Sequence, residues 1–287
     1  MSKENNKSSV SRYNIEWCSA MSLYFVITID VDPPFSASQN QMIESGTLHL
    51  LNLLEELNVK ATFFVPAIVS KTFPELIEEI VKRRHEIGCH GLKHDPLETT
   101  LNVNKQIKMV RMATDIIEST IGVRPKGFRA PLFRCNRDFW VALQKNCYVY
   151  DSSYVCSPFY GNGRVPFWKK PFYIKTSEKN NGLLEIPISV NPFLPFPLGG
   201  AWFRIFGLRW AKIGVKINFI FRTPVVFYIH PKDVIFDTHG FSWYYYRNTV
   251  KSLRMLREVI EYVKKNGAKF LKAYELADLY SRKRQVE

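Results

Sequence analysis

The sequence predicts an α/β fold, a distorted (β/α) barrel with seven or eight strands, and three observations lead to this class. The chain has 287 residues, which is enough for one barrel of roughly 250 residues. Short apolar segments alternate with amphipathic segments of helical spacing, as in βαβ units around a parallel sheet. Polar residues suited to chemistry recur directly after the apolar segments, and the carboxyl ends of the strands form one face of a parallel barrel.

The predicted elements alternate along the chain. Each strand is predicted from a short apolar run bounded by turn residues. The predicted strands are 24–29, 60–66, 86–91, 127–131, 147–153, 183–189, 225–231 and 268–276. Each helix is predicted from apolar residues spaced three and four apart, with Pro74 near the start of one helix and Gly122 at the end of another. The predicted helices are 38–59, 73–85, 104–122, 137–146 and 247–267.

Two stretches depart from this alternation. Residues 1–21 are polar and lack the apolar core of a signal peptide, so we expect a disordered tail before a single domain over 22–287. Residues from about 156 to 224 are rich in Pro, Gly and aromatic residues, and we expect an irregular basic insertion there. Residues 160–225 hold ten Lys or Arg and two acids, a net +8 of the chain's +14. This patch favours an anionic partner: a phosphorylated substrate, an anionic membrane surface or nucleic acid.

Within the insertion, residues 202–217 are predicted to form an amphipathic helix. The apolar residues within an arc of roughly 80° are Trp202, Phe206, Trp210, Ile213 and Ile217. The basic residues Arg204, Lys212 and Lys216 lie outside that arc, and Arg209 lies at its edge. Two interpretations stay open. The apolar stripe packs on the barrel with the cations solvated, or the helix lies on an anionic membrane and brings a lipid-linked substrate to the site.

The cysteines and the hydropathy bear on localisation. The five cysteines are odd in number and have no paired spacing, so we expect free thiols in a reducing cytoplasm. No apolar run approaches the roughly 20 residues that a membrane-spanning helix needs. The expected localisation is therefore cytoplasmic, with peripheral membrane contact under the second interpretation of the 202–217 helix.

Candidate functional residues follow several strands. Asp30 and Asp32 come two residues apart after the first strand, so strand alternation places both carboxylates on one side. Such close like charges repel unless a cation or a shared proton lies between them. The residues that follow the later strands are His90, His94, Arg129, Asp151 and His230. Each has an ordinary explanation, such as a turn cap or an exposed histidine pair. Their joint placement after strand ends predicts that they lie together at one rim of the barrel.

These residue types fit a hydrolase with one metal ion. Zinc binds imidazole nitrogen and carboxylate oxygen, and a catalytic site uses three protein ligands. Asp32, His90 and His94 supply that set, which leaves Asp30 to act as general base on the attacking water. Arg129 is expected to pair with Asp30 and keep it ionised. A proton for a leaving amine would come from His230.

The motifs resemble those of the polysaccharide deacetylases of carbohydrate esterase family four, the NodB-homology domain, over roughly residues 22–280. The matching segments, in the family's order, are TIDVD, HGLKH, FRAP, YDSS and YIHP. The resemblance implies a Zn²⁺ site, with Co²⁺ or Ni²⁺ as alternatives, and implies that Asp151 orients His230. It also implies an oxyanion-binding backbone N–H at Pro131–Leu132. Leu132 stands where the family often has an aromatic residue, so one ring of the substrate wall is missing.

The function implied by the resemblance is metal-dependent removal of an N-acyl group, most simply N-acetyl, from an amino sugar of a polysaccharide or lipid-linked glycan. One alternative is a deformylase or an allantoinase-like amidohydrolase acting on a non-polymeric amide. Another is an inactive protein that binds membrane or nucleic acid. An intact Asp30 beside an intact ligand set argues against inactivity, and no nucleic-acid-binding motif is present. The sequence does not indicate an oligomeric state.

Overall fold

The computed structural model describes residues 22–34, 40–159, 166, 168–175, 182–235 and 249–286. The tail predicted over 1–21 lies outside the described residues. The strands are β1 (Tyr24–Asp30), β2 (Thr62–Val65), β3 (Glu86–Cys89), β4 (Gly127–Phe128), β5 (Tyr150–Asp151), β6 (Phe172–Ile174), β7 (Leu183–Glu185), β8 (Val225–Ile229) and β9 (Lys269–Phe270). The helices are α1 (Asn40–Glu56), α2 (Ala67–Thr72), α3 (Pro74–Lys82), α4 (Val103–Ile121), α5 (Arg137–Lys145), α6 (Gly200–Ile220), α7 (Thr249–Lys265) and α8 (Ala273–Val286).

The strands form one curled sheet in the order β6-β7-β5-β4-β3-β2-β1-β8, and β9 pairs with the beginning of β1. All these pairs are parallel except β6 with β7. The segment after β7 crosses to β8, where the Ser189 N–H donates to the Val226 carbonyl at 3.2 Å and the Val226 N–H donates to Ser189 Oγ at 2.9 Å. The predicted distorted (β/α) barrel is therefore confirmed.

Strand alternation in β1 positions the first functional residue. Phe25, Ile27 and Ile29 belong to the core cluster that includes the apolar faces of the helices. Val26 belongs to a second cluster, which also contains residues of β5, β7 and β8. Because alternate residues share a side, Thr28 and Asp30 lie on the same side as Val26, and both are buried. The carboxylate of Asp30 thus ends the inward-facing row of β1.

The stretch from 156 to 224 contains a strand that the sequence did not predict, β6, besides the strand and the helix predicted within it. Its described residues contain β6 and β7, which belong to the sheet, and the 21-residue helix α6. The Pro-rich segment between β7 and α6 completes the barrel wall instead of looping away from it, since Leu198 bonds to Ser189 and Tyr228 bonds to Leu198 through backbone groups. The last predicted strand is also shorter, because Lys269–Phe270 is followed by helix α8 from Ala273.

Helix α6 differs from a straight amphipathic helix. Gly207 has φ 79° and ψ −174°, a conformation outside the helical region, so the helix is kinked. Trp202 and Phe206 pack against the core cluster, and Trp210 is part of it. The prediction that Arg204 is a solvated cation is wrong, because Arg204 is buried and paired with Asp233. None of the helices in the described ranges combines the length and apolarity needed to cross a bilayer.

Candidate active site

The carboxyl ends of β1, β3, β4 and β8 meet at one cavity of about 1050 Å³. Six of the predicted site residues line it: Asp30, Asp32, His90, His94, Leu132 and His230. The remaining lining includes Arg134, Phe159, Trp202, Tyr228 and Lys232. The structure therefore brings together the carboxylates and histidines that the sequence predicted to share one rim.

Asp32, His90 and His94 form the candidate metal-binding cluster. Their ligand atoms all lie within 4.8 Å of one another. Asp32 Oδ1 is 3.1 Å from His94 Nε2 and 3.6 Å from His90 Nε2. These three side chains are mostly shielded from solvent, so any charge at their centre interacts with them strongly.

The hydrogen bonding of this cluster fits a cation. His90 Nδ1 is 2.6 Å from the Arg129 carbonyl, which can only accept, so Nδ1 carries the proton and Nε2 presents a lone pair. That lone pair faces Asp32 Oδ1, a buried oxygen with no hydrogen-bond partner among the described residues. Two acceptors directed at one another are stabilised by a metal ion between them. One carboxylate and two imidazoles are a donor set that zinc accepts.

The loop that carries the two histidines is held by a residue that the sequence reasoning missed. Glu98 accepts hydrogen bonds from the backbone N–H groups of Leu92 (2.6 Å) and Lys93 (2.7 Å). Gly91 has φ +85°, and a Cβ there would lie 2.7 Å from Glu98 Oε2, so the turn requires glycine. His94 also has a positive φ of 66°. Such strain is found where a side chain is held in place for function.

Lys232 is a second site residue that the sequence analysis did not single out. Its Nζ lies 2.5 Å from Asp32 Oδ2, the oxygen that does not face His90 and His94. Burial raises the pKa of Asp32, but the charges of Lys232 and His230, together with the contacts to His90 and His94, hold that pKa well below its usual value. Asp32 is therefore ionised and ready to bind a cation at neutral pH.

Asp30 and Arg129 form the expected buried pair. Arg129 Nη1 donates to Asp30 Oδ1 at 2.7 Å and to Thr28 Oγ1 at 2.7 Å. The guanidinium also donates to the carbonyl and the hydroxyl of Ser152 at 3.1 and 2.8 Å, and it lies over the ring of Phe64. Arg129 is fully buried, so its orientation is fixed. It holds one oxygen of Asp30 beside the metal-binding cluster.

His230 is oriented by Asp233, and the prediction that Asp151 orients it is wrong. His230 Nδ1 is 2.7 Å from Asp233 Oδ2, and the His230 backbone N–H donates to the same oxygen at 2.9 Å. Arg204 Nε donates to Asp233 Oδ1 at 2.8 Å. Burial raises the pKa of Asp233, but His230, Arg204 and Lys232 together lower it to about 2. An ionised Asp233 leaves His230 Nε2 directed towards Asp32 Oδ2, at 3.7 Å.

Asp151 lies in a separate buried group. It accepts hydrogen bonds from Trp140 Nε1 at 3.0 Å and Ser153 Oγ at 2.6 Å. Its neighbour on the adjacent strand is Glu185, and both carboxyls are fully buried. Burial raises the pKa of both groups, and the charge of Asp151 raises that of Glu185 further. The pair therefore holds a proton to a higher pH than exposed carboxyls do, and Asp151 accepts from the Ser153 hydroxyl, which itself accepts from the Ala130 N–H.

Pro131 and Leu132 lie at the start of the turn after β4. Leu132 is 54% exposed and lines the cavity, with φ 53°. Pro131 is buried, and its ring lies 3.2 Å from the position that a Cβ on Gly91 would occupy. Among the described residues the cavity wall includes Leu132 but not Pro131. Oxyanion binding by the backbone here stays a prediction.

Two family models match this chain, each over less than half of its length. Residues 24–150 match the family described as polysaccharide deacetylase. Residues 152–269 match a domain of unknown function, DUF3473. The match over residues 24–150 confirms the resemblance seen in the motifs of that part of the chain.

Individual relatives cover only part of this chain. The peptidoglycan deacetylase-like protein FGM2 of Gibberella zeae is 34% identical over 38% of this chain and 32% of that protein. The peptidoglycan deacetylase of Helicobacter pylori is 26% identical over 47% of this chain and 42% of that protein. The chain thus matches about a third to two fifths of the length of these relatives.

A solved structure extends the likeness in fold to almost the whole chain. A Mycobacterium smegmatis protein assigned to the polysaccharide deacetylases is 20% identical, covers 93% of each chain and has a TM-score of 0.68. At that identity the likeness concerns the fold alone, and it includes the residues after 150 that close the barrel.

Proposed function

We propose that this protein is a metal-dependent hydrolase that removes N-acetyl groups from amino sugars of a glycan. The observation that carries the proposal is the buried Asp32 Oδ1, which faces two imidazole nitrogens and has no hydrogen-bond partner among the described residues. Beside it lies Asp30, a carboxylate that the ligand set does not need. A pure binding site would have no use for this combination of a metal-binding set and a spare base.

The proposed metal ligands are Asp32, His90 and His94, and Zn²⁺ is the expected ion. When bound, the ion would polarise the acyl carbonyl and acidify the attacking water. Lys232 holds the second oxygen of Asp32, so that Oδ1 stays directed at the two histidines. The hydrogen bond from His90 to the Arg129 carbonyl fixes the tautomer in which Nε2 can bind metal.

Asp30 and His230 are the proposed base and acid. Asp30 would accept a proton from the attacking water, and the Arg129 guanidinium orients the carboxylate. His230 would donate a proton from Nε2 to the departing amine. The negative Asp233 at Nδ1 stabilises the imidazolium that serves as this donor. The two groups reach the cavity from different strands, β1 and β8, so a substrate can lie between them.

The names of relatives support a glycan substrate. Both curated relatives are named for deacetylation of peptidoglycan or likeness to such enzymes. The acyl group is proposed as acetyl on the same basis. The aromatic and cationic residues around the cavity suit a carbohydrate, which combines apolar ring faces with hydroxyl groups.

The test is hydrolysis of a defined panel by the zinc-loaded protein. The panel contains N-acetylglucosamine oligomers, peptidoglycan fragments, an N-formyl amino sugar and allantoin, with acetate, formate and ring opening measured separately. We expect acetate from the glycans and none after treatment with EDTA, with activity restored by Zn²⁺. Formate alone would indicate a deformylase, and ring-opened allantoin alone would indicate an allantoinase. No product from metal-loaded protein would contradict the proposal.

A further inference from the structure

The last turns of α6 expose large apolar side chains on one side of the helix. Ile213 and Ile220 follow the kink at Gly207 and lie seven residues apart, a spacing that places them on the same side. Ile213 is 46% exposed and Ile220 is 65% exposed. The predicted apolar stripe therefore divides in two: Trp210 and the residues before it pack into or against the core, whereas Ile213 remains in water.

A second segment of the chain enlarges this apolar surface. Trp168 stacks on Phe221, with ring centroids 6.2 Å apart and an angle of 22° between the ring planes. The Thr223 hydroxyl donates to the Trp168 carbonyl at 3.2 Å, which attaches the segment before β6 to the end of α6. Trp168 is still 52% exposed and Phe221 50% exposed. Apolar surface that stays in water adds little to stability, so folding alone does not account for these rings.

Cations alternate with the apolar side chains along this side of α6. Arg209 and Lys216 are exposed. The order Arg209, Ile213, Lys216, Ile220 has spacings of four, three and four residues, so all four side chains share one helix face. We call this surface the α6 patch, and its members are Trp168, Arg209, Ile213, Lys216, Ile220 and Phe221.

The charge around the α6 patch is of one sign. Residues 166–175 and 200–224 contain eight Lys or Arg and no Asp or Glu. Arg204 is the one of these eight cations that is buried, and Lys212 lies 3.5 Å from Glu258 of α7. A surface with so many cations and no acid of its own attracts an anionic partner.

The apolar members of the patch indicate which kind of anionic partner fits. Nucleic acid would bind the cations through its phosphates, but it would not use exposed isoleucines. A lipid bilayer uses both kinds of residue, because apolar side chains enter the headgroup region while Lys and Arg extend to the lipid phosphates. Tryptophan is typical of that region, since its ring is apolar and its N–H is polar. We infer that the α6 patch docks on an anionic lipid bilayer.

The position of the patch determines what such docking would do. Phe221 lies four residues before the amino end of β8, whereas His230 directly follows the carboxyl end of that strand. The stacked pair of Trp168 and Phe221 and the proposed active site are thus at opposite ends of β8. The contact therefore tethers the protein and does not deliver a lipid-linked substrate to the site. This inference does not depend on the proposed function.

The test is sedimentation of the full chain with vesicles of phosphatidylcholine, alone or mixed with phosphatidylglycerol, at low and high salt. The chain carries a net charge of +14, so its whole surface is attracted to anionic vesicles, and variants must separate the patch from that background. The basic variant is Arg209→Gln with Lys216→Gln. The apolar variant is Ile213→Ser with Ile220→Ser, which leaves the charge unchanged.

The matched control makes the same kinds of change on α4. It combines Lys108→Gln, Arg111→Gln and Met112→Ser, and all three residues are exposed. Helix α4 packs on α2, α3 and α5, whereas α6 packs on α7, so the control alters a different side of the barrel. Thermal unfolding of each variant checks that the fold is retained.

We expect the wild-type protein to bind the anionic vesicles and not phosphatidylcholine alone, and to be released by high salt. The basic variant should bind about 25-fold more weakly, at about fivefold per cation. The apolar variant should lose about tenfold or more, because its apolar contacts with the bilayer are removed. The control should stay within about threefold of wild type. An equal loss in the control, or full binding by the apolar variant, would overturn the inference.

Two further measurements identify the partner and the contact. Brominated lipids quench tryptophan fluorescence at the bilayer, and Trp168→Phe should remove most of that quenching; undiminished quenching would place the contact elsewhere and overturn the inference. Binding of duplex DNA is measured by fluorescence anisotropy. DNA binding that the basic variant weakens, without vesicle binding, would overturn the bilayer in favour of nucleic acid.

Activity is measured separately from docking. Zinc content and acetate release from a soluble glycan should be the same in the patch variants as in wild type, because the patch residues do not line the cavity. Vesicle binding without acetate release would refute the proposed function and leave the docking surface standing. Acetate release without vesicle binding would do the reverse.

Discussion

Asp233 illustrates how one contact determines the role of a histidine. Its carboxylate bonds to both the ring and the backbone N–H of His230, and Arg204 neutralises it from the other side. The Nδ1 proton of His230 is thereby fixed, and Nε2 is left for proton transfer. Asp151, which the sequence motif suggested for this role, instead bonds to Trp140 and Ser153.

This assignment predicts different results for two matched variants. Asp233→Asn should lower kcat by about 10²–10⁴-fold, the contribution of a general acid, because the imidazolium loses its counter-charge. Asp151→Asn can still accept from Trp140 Nε1 but loses the acceptor for the Ser153 hydroxyl. Because this side chain does not reach His230, kcat should fall by less than about threefold, well below that range. Steady-state kinetics of the two folded variants decides between them. A larger loss in Asp151→Asn would restore the motif-based assignment.

The contact between Lys232 and Asp32 is expected to weaken metal binding. Its ammonium group lies on the metal ligand Asp32, where its positive charge opposes that of a bound divalent ion. Lys232→Met should therefore bind Zn²⁺ about tenfold more tightly. Lys93→Met is the control, because Lys93 is exposed and lies between the two histidine ligands in sequence. Competition against a zinc chelator measures both. Unchanged or weaker binding in Lys232→Met would show that its orienting effect outweighs its charge.

The sequence predicted the residues of the site better than their contacts. Asp30, Asp32, His90, His94, Arg129 and His230 follow strand ends, and the parallel topology alone brings strand ends together. Asp233 was missed because its contact depends on the short turn Pro231–Asp233, which no periodicity indicates. Glu98 was missed for a similar reason, since its contacts are with backbone N–H groups.

Helix α6 shows where element-level prediction fails. A helical wheel assumes 100° per residue throughout, but the turn at Gly207 has φ 79° and ψ −174° and interrupts that rotation. Arg204, before the kink, therefore points to the buried Asp233 and not to solvent. The kink allows the first turns of α6 to line the cavity while Trp210 and Val215 remain in the core.

Replacement of Gly207 tests this role of the kink. Gly207→Ala forces a backbone conformation that is essentially limited to glycine, at a cost of about 1–3 kcal/mol. Relief of that strain would move the first turns of α6, so activity should fall together with stability. Gly122→Ala is the control, because Gly122 also has a positive φ of 70° and open space around it, but it ends α4 ahead of β4, away from the strand ends that form the site.

Denaturant unfolding and kcat/KM are compared for the two glycine variants. Gly122→Ala should lose about 1–2 kcal/mol of stability without loss of activity. If both variants kept full activity, the kink would be irrelevant to the site.

At the scale of the whole molecule, the Asp151–Glu185 pair makes folding depend on pH. Both carboxyls have raised pKa values in the folded state because they are buried. A buried carboxyl of this kind contributes its full stabilisation of the folded state below its unfolded pKa of about 4. That stabilisation is lost as pH rises towards the folded pKa. Between these two pKa values folding takes up a proton, so the free energy of unfolding falls by about 1.4 kcal/mol per pH unit.

Glu185→Gln should remove this dependence. The amide has the shape of the carboxyl but binds no proton, so the stability of the variant relative to wild type should rise with pH from the unfolded pKa of about 4 up to the folded pKa of the pair. Urea unfolding at pH 5, 7 and 9 measures the difference. Parallel stability curves for the two proteins would mean that Glu185 does not bind the extra proton.

The central claim is that Asp32 binds the metal and Asp30 acts as the general base. Measuring metal content together with turnover tests it most directly. Zinc per chain and acetate release are measured for Asp30→Asn and Asp32→Asn. Asp30→Asn should keep about one Zn²⁺ per chain and lose about 10²–10⁴-fold in rate, as expected for a missing general base. Asp32→Asn should lose both metal and activity. Full metal content in Asp32→Asn, or equal metal loss in both variants, would contradict the assignment of Asp32 as ligand and Asp30 as base.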